Sequence, residues 1–177
     1  MGELLDVLDE HGLFTGKVAT REECHSKGLW HRAVYGFIID NNSNVLLQKR
    51  SSNKKLWPNK WDVTVGGHVD AGEFGRQTII RECKEELGIN IKDEEIKYIV
   101  SSTSVYNQNG YINNHFDECY LIVKDIDVEK LKLQKEEVSD VKFFTKKELL
   151  ERIDNNYDGL TEKPSSWHFL KKILYNK

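Results

Sequence analysis

Three glutamates, Glu82, Glu85 and Glu86, fall close together in a stretch whose residue types favour a helix. At about 100° per residue and with Glu82 at zero, Glu85 lies at about 300° and Glu86 at about 40°. The three carboxylates therefore share one arc of about 100°. Ile80, Cys83 and Leu87 fall at about 160°, 100° and 140°, a separate apolar face able to pack on a sheet. Crowded carboxylates raise one another's pKa unless a cation neutralises them. Hard divalent cations such as Mg²⁺ or Mn²⁺ take oxygen ligands of this kind and complete their shell with water and phosphate oxygens. The spacing therefore suits a metal that grips a diphosphate. A solvated charged face, with Arg81 and Lys84 as ordinary partners, is the alternative that spacing leaves open.

The flanking sequence supplies the elements that must hold this helix. The helix itself is expected over about Gly75 to Leu87, stopped by Gly88. Strands are expected over Glu3 to Leu8, Ala33 to Ile39, Val45 to Gln48, Asp62 to Val65, Ile96 to Val105, Ile112 to Val123 and Val138 to Phe144. Gly66-Gly67 is expected to break the fourth of these, and Asn107-Gln108-Asn109-Gly110 to make a hairpin turn. Ser51 to Lys60 reads as a loop carrying Trp57-Pro58. Thr20 with Glu23 forms a capping box, and Thr145 with Glu148 starts a helix reaching about Ile153. Ser165 to Leu174 reads as a last amphipathic helix with Trp167, Leu170, Ile173 and Leu174 on one face. Strands with interspersed helices point to a layered α/β domain.

The chain has 177 residues, room for one domain with one well-buried core. Lys plus Arg number 26 against 29 Asp plus Glu, and this near-balance argues against a nucleic-acid partner. No apolar stretch is long enough to cross a bilayer, so no membrane partner is expected. Met1 to Asp6 lack the basic and apolar regions of a secretory signal. Cys24, Cys83 and Cys119 are odd in number and widely spaced, which suits reduced thiols and a cytoplasmic location.

The segment from Gly67 to Ile89 resembles the Nudix box, G-x5-E-x7-R-E-U-x-E-E-x-G-U with U a bulky apolar residue. Gly67, Glu73, Arg81, Glu82, Glu85, Glu86, Gly88 and Ile89 are in register, and Cys83 stands at the first U. The resemblance implies an α/β/α sandwich with a mixed β-sheet over a single domain, residues 1–177, with 1–28 as an N-terminal extension. It implies hydrolysis of a diphosphate linkage in a nucleoside diphosphate derivative or similar small organic diphosphate, with Mg²⁺ or Mn²⁺. Carried over residue by residue, Glu82, Glu85, Glu86 and the Gly67 carbonyl are metal ligands, and Glu73 with Arg81 is an orienting ion pair. Glu85 or Glu86 is the first choice for handling the attacking water. A base can also come from a distant loop, where Glu136 and Glu137 are the candidates.

Residues 1–50 look like the isopentenyl-diphosphate isomerase-like branch of the same superfamily, through His25, His31-Arg32-Ala33 and the Gly67-His68 pair. True isomerases hold a metal with three histidines and two glutamates. His25, His31 and His68 could fill the histidine roles as a second metal site, with His115 and Asp117 roughly where the glutamates would be. Isomerases also place a proton-exchanging cysteine directly before the glycine-histidine pair; here that position is Gly66. The expectation is an isomerase-like scaffold with hydrolase chemistry. An isomerase and a non-catalytic nucleotide- or metabolite-sensing module are the alternatives. Lys49, Arg50 and Trp57 are candidate substrate contacts, the first two for phosphate and Trp57 for stacking. Monomer and homodimer both stay open.

Overall fold

The computed structural model describes residues 2–108 and 110–175. The strands are β1 (Leu4–Leu8), β2 (Phe14–Thr20), β3 (His31–Ile39), β4 (Val45–Arg50), β5 (Trp61–Asp62), β6 (Val65–His68), β7 (Ile96–Gln108), β8 (Tyr111–Val123) and β9 (Val138–Phe144). The helices are α1 (Arg21–Lys27), α2 (Gly75–Leu87), α3 (Lys146–Asp154) and α4 (Pro164–Tyr175). β1 and β2 form an antiparallel ribbon. The other seven strands form a mixed sheet of order β5-β4-β3-β8-β7, with β6 paired to β3 and β9 to β4. β3 and β8 run parallel and every other pairing is antiparallel. This is the α/β class with the mixed sheet that the motif implies.

Strand alternation sends side chains to both faces, and both are covered. Val34, Ile38, Leu46 and Ile122 pack on one face with Ile79, Cys83 and Leu87 of α2. Phe37, Ile39, Leu47 and Leu121 pack on the other with Leu149 of α3 and Trp167, Leu170 and Leu174 of α4. The apolar side of α2 thus anchors it, which leaves its acidic side turned along the sheet edge. Gly88, with φ 70°, ends the helix in the left-handed conformation and donates its N–H back to the Cys83 and Lys84 carbonyls.

The structure departs from the sequence expectations in four places. The strand expected over Asp62 to Val65 divides into β5 and β6, with Val63 and Thr64 between them, where the buried Thr64 hydroxyl accepts from the Ile38 N–H and donates to the Leu46 carbonyl. Gly66 and Gly67 do not break a strand; they lie inside β6, opposite Tyr35 and Val34. Added Cβ atoms there would crowd the Val34 carbonyl and overlap Glu82 Oε1, so neighbours rather than flexibility require glycine. β2 was not expected as a strand. The long strands β7 and β8 run further than their apolar cores, and the hairpin-turn reading includes Asn109, which lies outside the described residues.

Trp167 is fully buried, and its Nε1 donates to the Thr161 carbonyl at 2.7 Å. Truncating a buried tryptophan costs about 3–5 kcal/mol. Trp167→Ala is therefore expected to lower the thermal midpoint by roughly 6–20 °C, at roughly 2–4 °C per kcal/mol for a domain this size. A drop of less than about 2 °C by circular dichroism would contradict this packing.

Candidate active site

α2, β6 and the loops after β4 and before β9 enclose a cleft of about 280 Å³. Glu82, Glu85, Glu86 and Gly67 line one side of it, and Arg50, Lys54, Trp57, Tyr106 and Lys163 line it as well. Arg81 organises the acidic side. Its Nε and NH2 donate to the two Glu73 carboxylate oxygens at 3.2 and 3.1 Å. Its NH1 donates to Glu82 Oε1 at 2.8 Å and Glu85 Oε2 at 3.4 Å, and NH2 reaches the His68 carbonyl at 3.3 Å. The guanidinium is held charged above its ordinary value by Glu73, Glu82 and Asp70 against the effect of burial.

One cation does not satisfy this many acids. Burial drives the Glu82 carboxyl up to about 7, with Glu85 adding to it and Arg81 opposing it. Burial, Glu82 and Glu137 push Glu86 well above the usual carboxylate range, and a single hydrogen bond from Gln48 Nε2 at 3.1 Å opposes them. Such oxygen-only, under-compensated acids beside Gly67 fit a hard divalent cation.

A second cluster lies behind the first. His25 from α1, His31 from β3, His68 from β6 and His115 from β8 are all buried, with ligand atoms within 4.8 Å of one another. Parallel pairing sets His31 directly opposite His115. His25 Nδ1 donates to the Ile112 carbonyl at 3.0 Å and His31 Nδ1 to the Leu29 carbonyl at 2.7 Å. His68 Nδ1 lies 3.4 Å from Glu3 Oε1. Those outward bonds turn Nε2 inward, where His25 and His68 Nε2 meet at 3.1 Å and the Nε2 atoms of His31 and His115 have no partner. Burial lowers His25 to about 4 and His31 to about 2, so both rings are neutral near pH 7. Neutral imidazoles with inward lone pairs fit a borderline transition metal. The two residues expected in the place of the isomerase glutamates resolve differently: His115 joins the cluster, while Asp117 is buried and bonded by Ser104.

The other candidates separate. Arg50 and Trp57 line the cleft, but Lys49 does not; its Nζ sits 5.9 Å over the Trp61 ring. Glu137, not Glu136, lines the cleft and pairs with Lys54, because Glu136 turns to the neighbouring groove beside Asn53 and Lys55. Sequence reading missed Arg21, Gln48, Tyr106 and Lys163. The period-two alternation of Asn113, His115 and Asp117 in β8 was the available signal for the fourth histidine.

The two clusters give stability opposite pH dependences. His25, His31 and His68, held below their unfolded pKa of 6.5, contribute stability above that pH and lose it as pH falls. Glu82 and Glu86, held above their unfolded pKa of 4.5, contribute stability below that pH and lose it as pH rises. The thermal midpoint of metal-stripped protein is expected to peak near pH 6.5 and to fall toward pH 8. Saturating Mg²⁺ should flatten the alkaline fall, and Glu86→Gln should be more stable than wild type at pH 8. A midpoint that climbs steadily from pH 6.5 to 8 without metal would sink this account.

Comparison with known proteins bears on the family and the fold. The NUDIX domain pattern matches residues 29–163. The chain is 38% identical to Nudix hydrolase 3 of Arabidopsis thaliana over 80% of its own length, but spans only 19% of that longer protein. It is 37% identical to an uncharacterised Nudix hydrolase of Listeria monocytogenes, covering 81% of this chain and 80% of that one. It is 30% identical to isopentenyl-diphosphate Delta-isomerase 2 of Photorhabdus laumondii, covering 91% and 88%. The crystal structure of DR0079 from Deinococcus radiodurans superposes with a TM-score of 0.72 over 96% of this chain and 98% of that one, at 24% identity. Motif, sheet and relatives agree, and the chain belongs to the Nudix hydrolase family.

Proposed function

We propose that the chain hydrolyses a diphosphate linkage in a nucleoside diphosphate derivative or similar small organic diphosphate. The observation that carries this reading is one cleft with Glu82, Glu85 and Glu86 beside Gly67 on one side and Arg50, Lys54 and Lys163 also facing it. Held by Glu82, Glu85, Glu86 and the Gly67 carbonyl, Mg²⁺ or Mn²⁺ would neutralise charge on the diphosphate oxygens. Arg81 fixes Glu82 and Glu85, while Glu73 fixes Arg81. Glu85, the most exposed of the three acids with 54% of its side chain accessible, takes the proton of the attacking water. Glu137 is the second candidate for that proton. Water adds to one phosphorus, the bridging P–O bond breaks, and the released phosphate leaves from beside Arg50 and Lys54.

We read residues 1–28 as an extension that completes the site. Glu3 and Arg21 line the cleft, and Asp6 holds Arg32 and the Gly72 N–H. Gly66 supports hydrolysis over alkene isomerisation. It has no group to exchange a proton, and a Cβ there would stand only 3.2 Å from the Val34 carbonyl. The histidine cluster is proposed as a second site, with His25, His31, His68 and His115 taking a transition metal such as Zn²⁺. The buried free cysteines suit a cytoplasmic setting, and among the described residues no helix is long and apolar enough to cross a membrane.

With Mg²⁺ or Mn²⁺ and a panel of nucleoside and sugar diphosphates, release of phosphate or nucleoside monophosphate is expected. Glu85→Gln and Glu86→Gln should each lower kcat by about 10²–10⁴-fold. Full turnover in both variants, or release of none of these products by wild type, would overturn the reading.

A further inference from the structure

Away from the acids, Arg50 and Lys163 form a cationic corner of the cleft. Asp62 is buried at the end of β5 and accepts four hydrogen bonds. They come from Val63 N at 2.9 Å, Thr161 Oγ1 at 3.0 Å, Arg50 NH1 at 3.1 Å and Lys163 Nζ at 2.7 Å. Two cations thus share one carboxylate, although a structural pair needs only one. Arg50 is fixed further by its Nε bond to the Leu56 carbonyl at 3.0 Å. Lys163 spends one of its three N–H donors on Asp62, and it lines the cleft.

Aromatic faces surround that ammonium. Nζ is 5.5 Å from the centre of the Tyr35 ring and 5.6 Å from that of Trp57. Trp57 and Tyr106 rings are 6.0 Å apart, and both line the cleft. Trp57 holds φ at 49°, a left-handed backbone that a tryptophan rarely adopts. A moiety that fits here must be flat, to lie on the rings, and must bring acceptors to groups that only donate. An isoprenyl tail brings none and would leave the remaining donors of the ammonium without acceptors. Adenine presents an amino donor on its exocyclic edge, whereas uracil and guanine present carbonyl oxygens.

We propose that Lys163, with Arg50 and Trp57, forms a base-recognition corner that selects nucleoside diphosphates whose base carries a carbonyl oxygen. Lys163 is the specificity-determining residue, brought to the cleft from the start of α4 by the bond between Trp167 and the Thr161 carbonyl. This rests on the hydrolase reading for the placement of the diphosphate, but base selection is measurable without turnover.

The test is calorimetric binding of UMP, GMP, AMP and ribose 5-phosphate to the full chain, wild type and Lys163→Met. Wild type should bind UMP and GMP at least roughly tenfold tighter than AMP or ribose 5-phosphate, the usual discrimination of a site built around one hydrogen bond. Lys163→Met keeps the Arg50–Asp62 pair, so it leaves no unpaired carboxylate. It should abolish the preference, bringing UMP and GMP to the affinity of AMP. Equal wild-type affinities for UMP, GMP and AMP, no nucleotide binding at millimolar concentration, or an undiminished preference in a folded Lys163→Met protein each overturn the proposal. The wild-type ranking decides the matter even if the variant does not fold. Diphosphate turnover without base preference would retain the hydrolase reading and remove this one; base preference without turnover would do the reverse.

Discussion

Arg81 holds the acidic side together. A guanidinium offers five donors in a rigid fork, and here that fork engages Glu73, Glu82, Glu85 and the His68 carbonyl at once. It couples α2 to the loop that precedes it and to the end of β6. Without it, Glu73, Glu82 and Glu85 would lose their shared counter-charge in a site already costly to charge. With it, the acids stand in place and still carry more negative charge than the protein neutralises. That residual charge is the chemical demand that a divalent cation meets.

Two kinds of coordination chemistry lie back to back across β6. Gly67 and the glutamates present hard oxygens, while the adjacent His68 belongs to a nest of borderline nitrogens. Neighbouring residues of a strand point to opposite faces, so one short strand serves both sets. The tight β3–β6 pairing sets the separation. Glycine at positions 66 and 67 is what lets the strand lie between Val34, Tyr35 and Glu82 without displacing them.

The acidic helix was legible because its signal is local. The positions of Glu73, Arg81, Glu82, Glu85 and Glu86 are set by one helix and the turn before it, and Gly88 marks the stop. Capping at Thr20 and Thr145 was legible for the same reason. β2 was not, because most of its residues are exposed and no buried face imposes a pattern. The glycine pair misled because breaking a strand and permitting close approach look alike until the neighbours are known. Glu136 and Glu137 are adjacent in sequence, and only the turn decides which faces the cleft. Lys163 and Asp62 are 101 residues apart, so no spacing rule could pair them.

That separation has a consequence for synthesis. On the ribosome, residues of the acidic helix emerge first, β8, the parallel neighbour of the central strand β3, follows, and the last helix comes only after both. A nascent chain can therefore present its acidic helix while Asp62 and Arg50 wait, half-paired, for a lysine not yet translated. Discrimination between substrates would be the last property the molecule acquires as it leaves the exit tunnel.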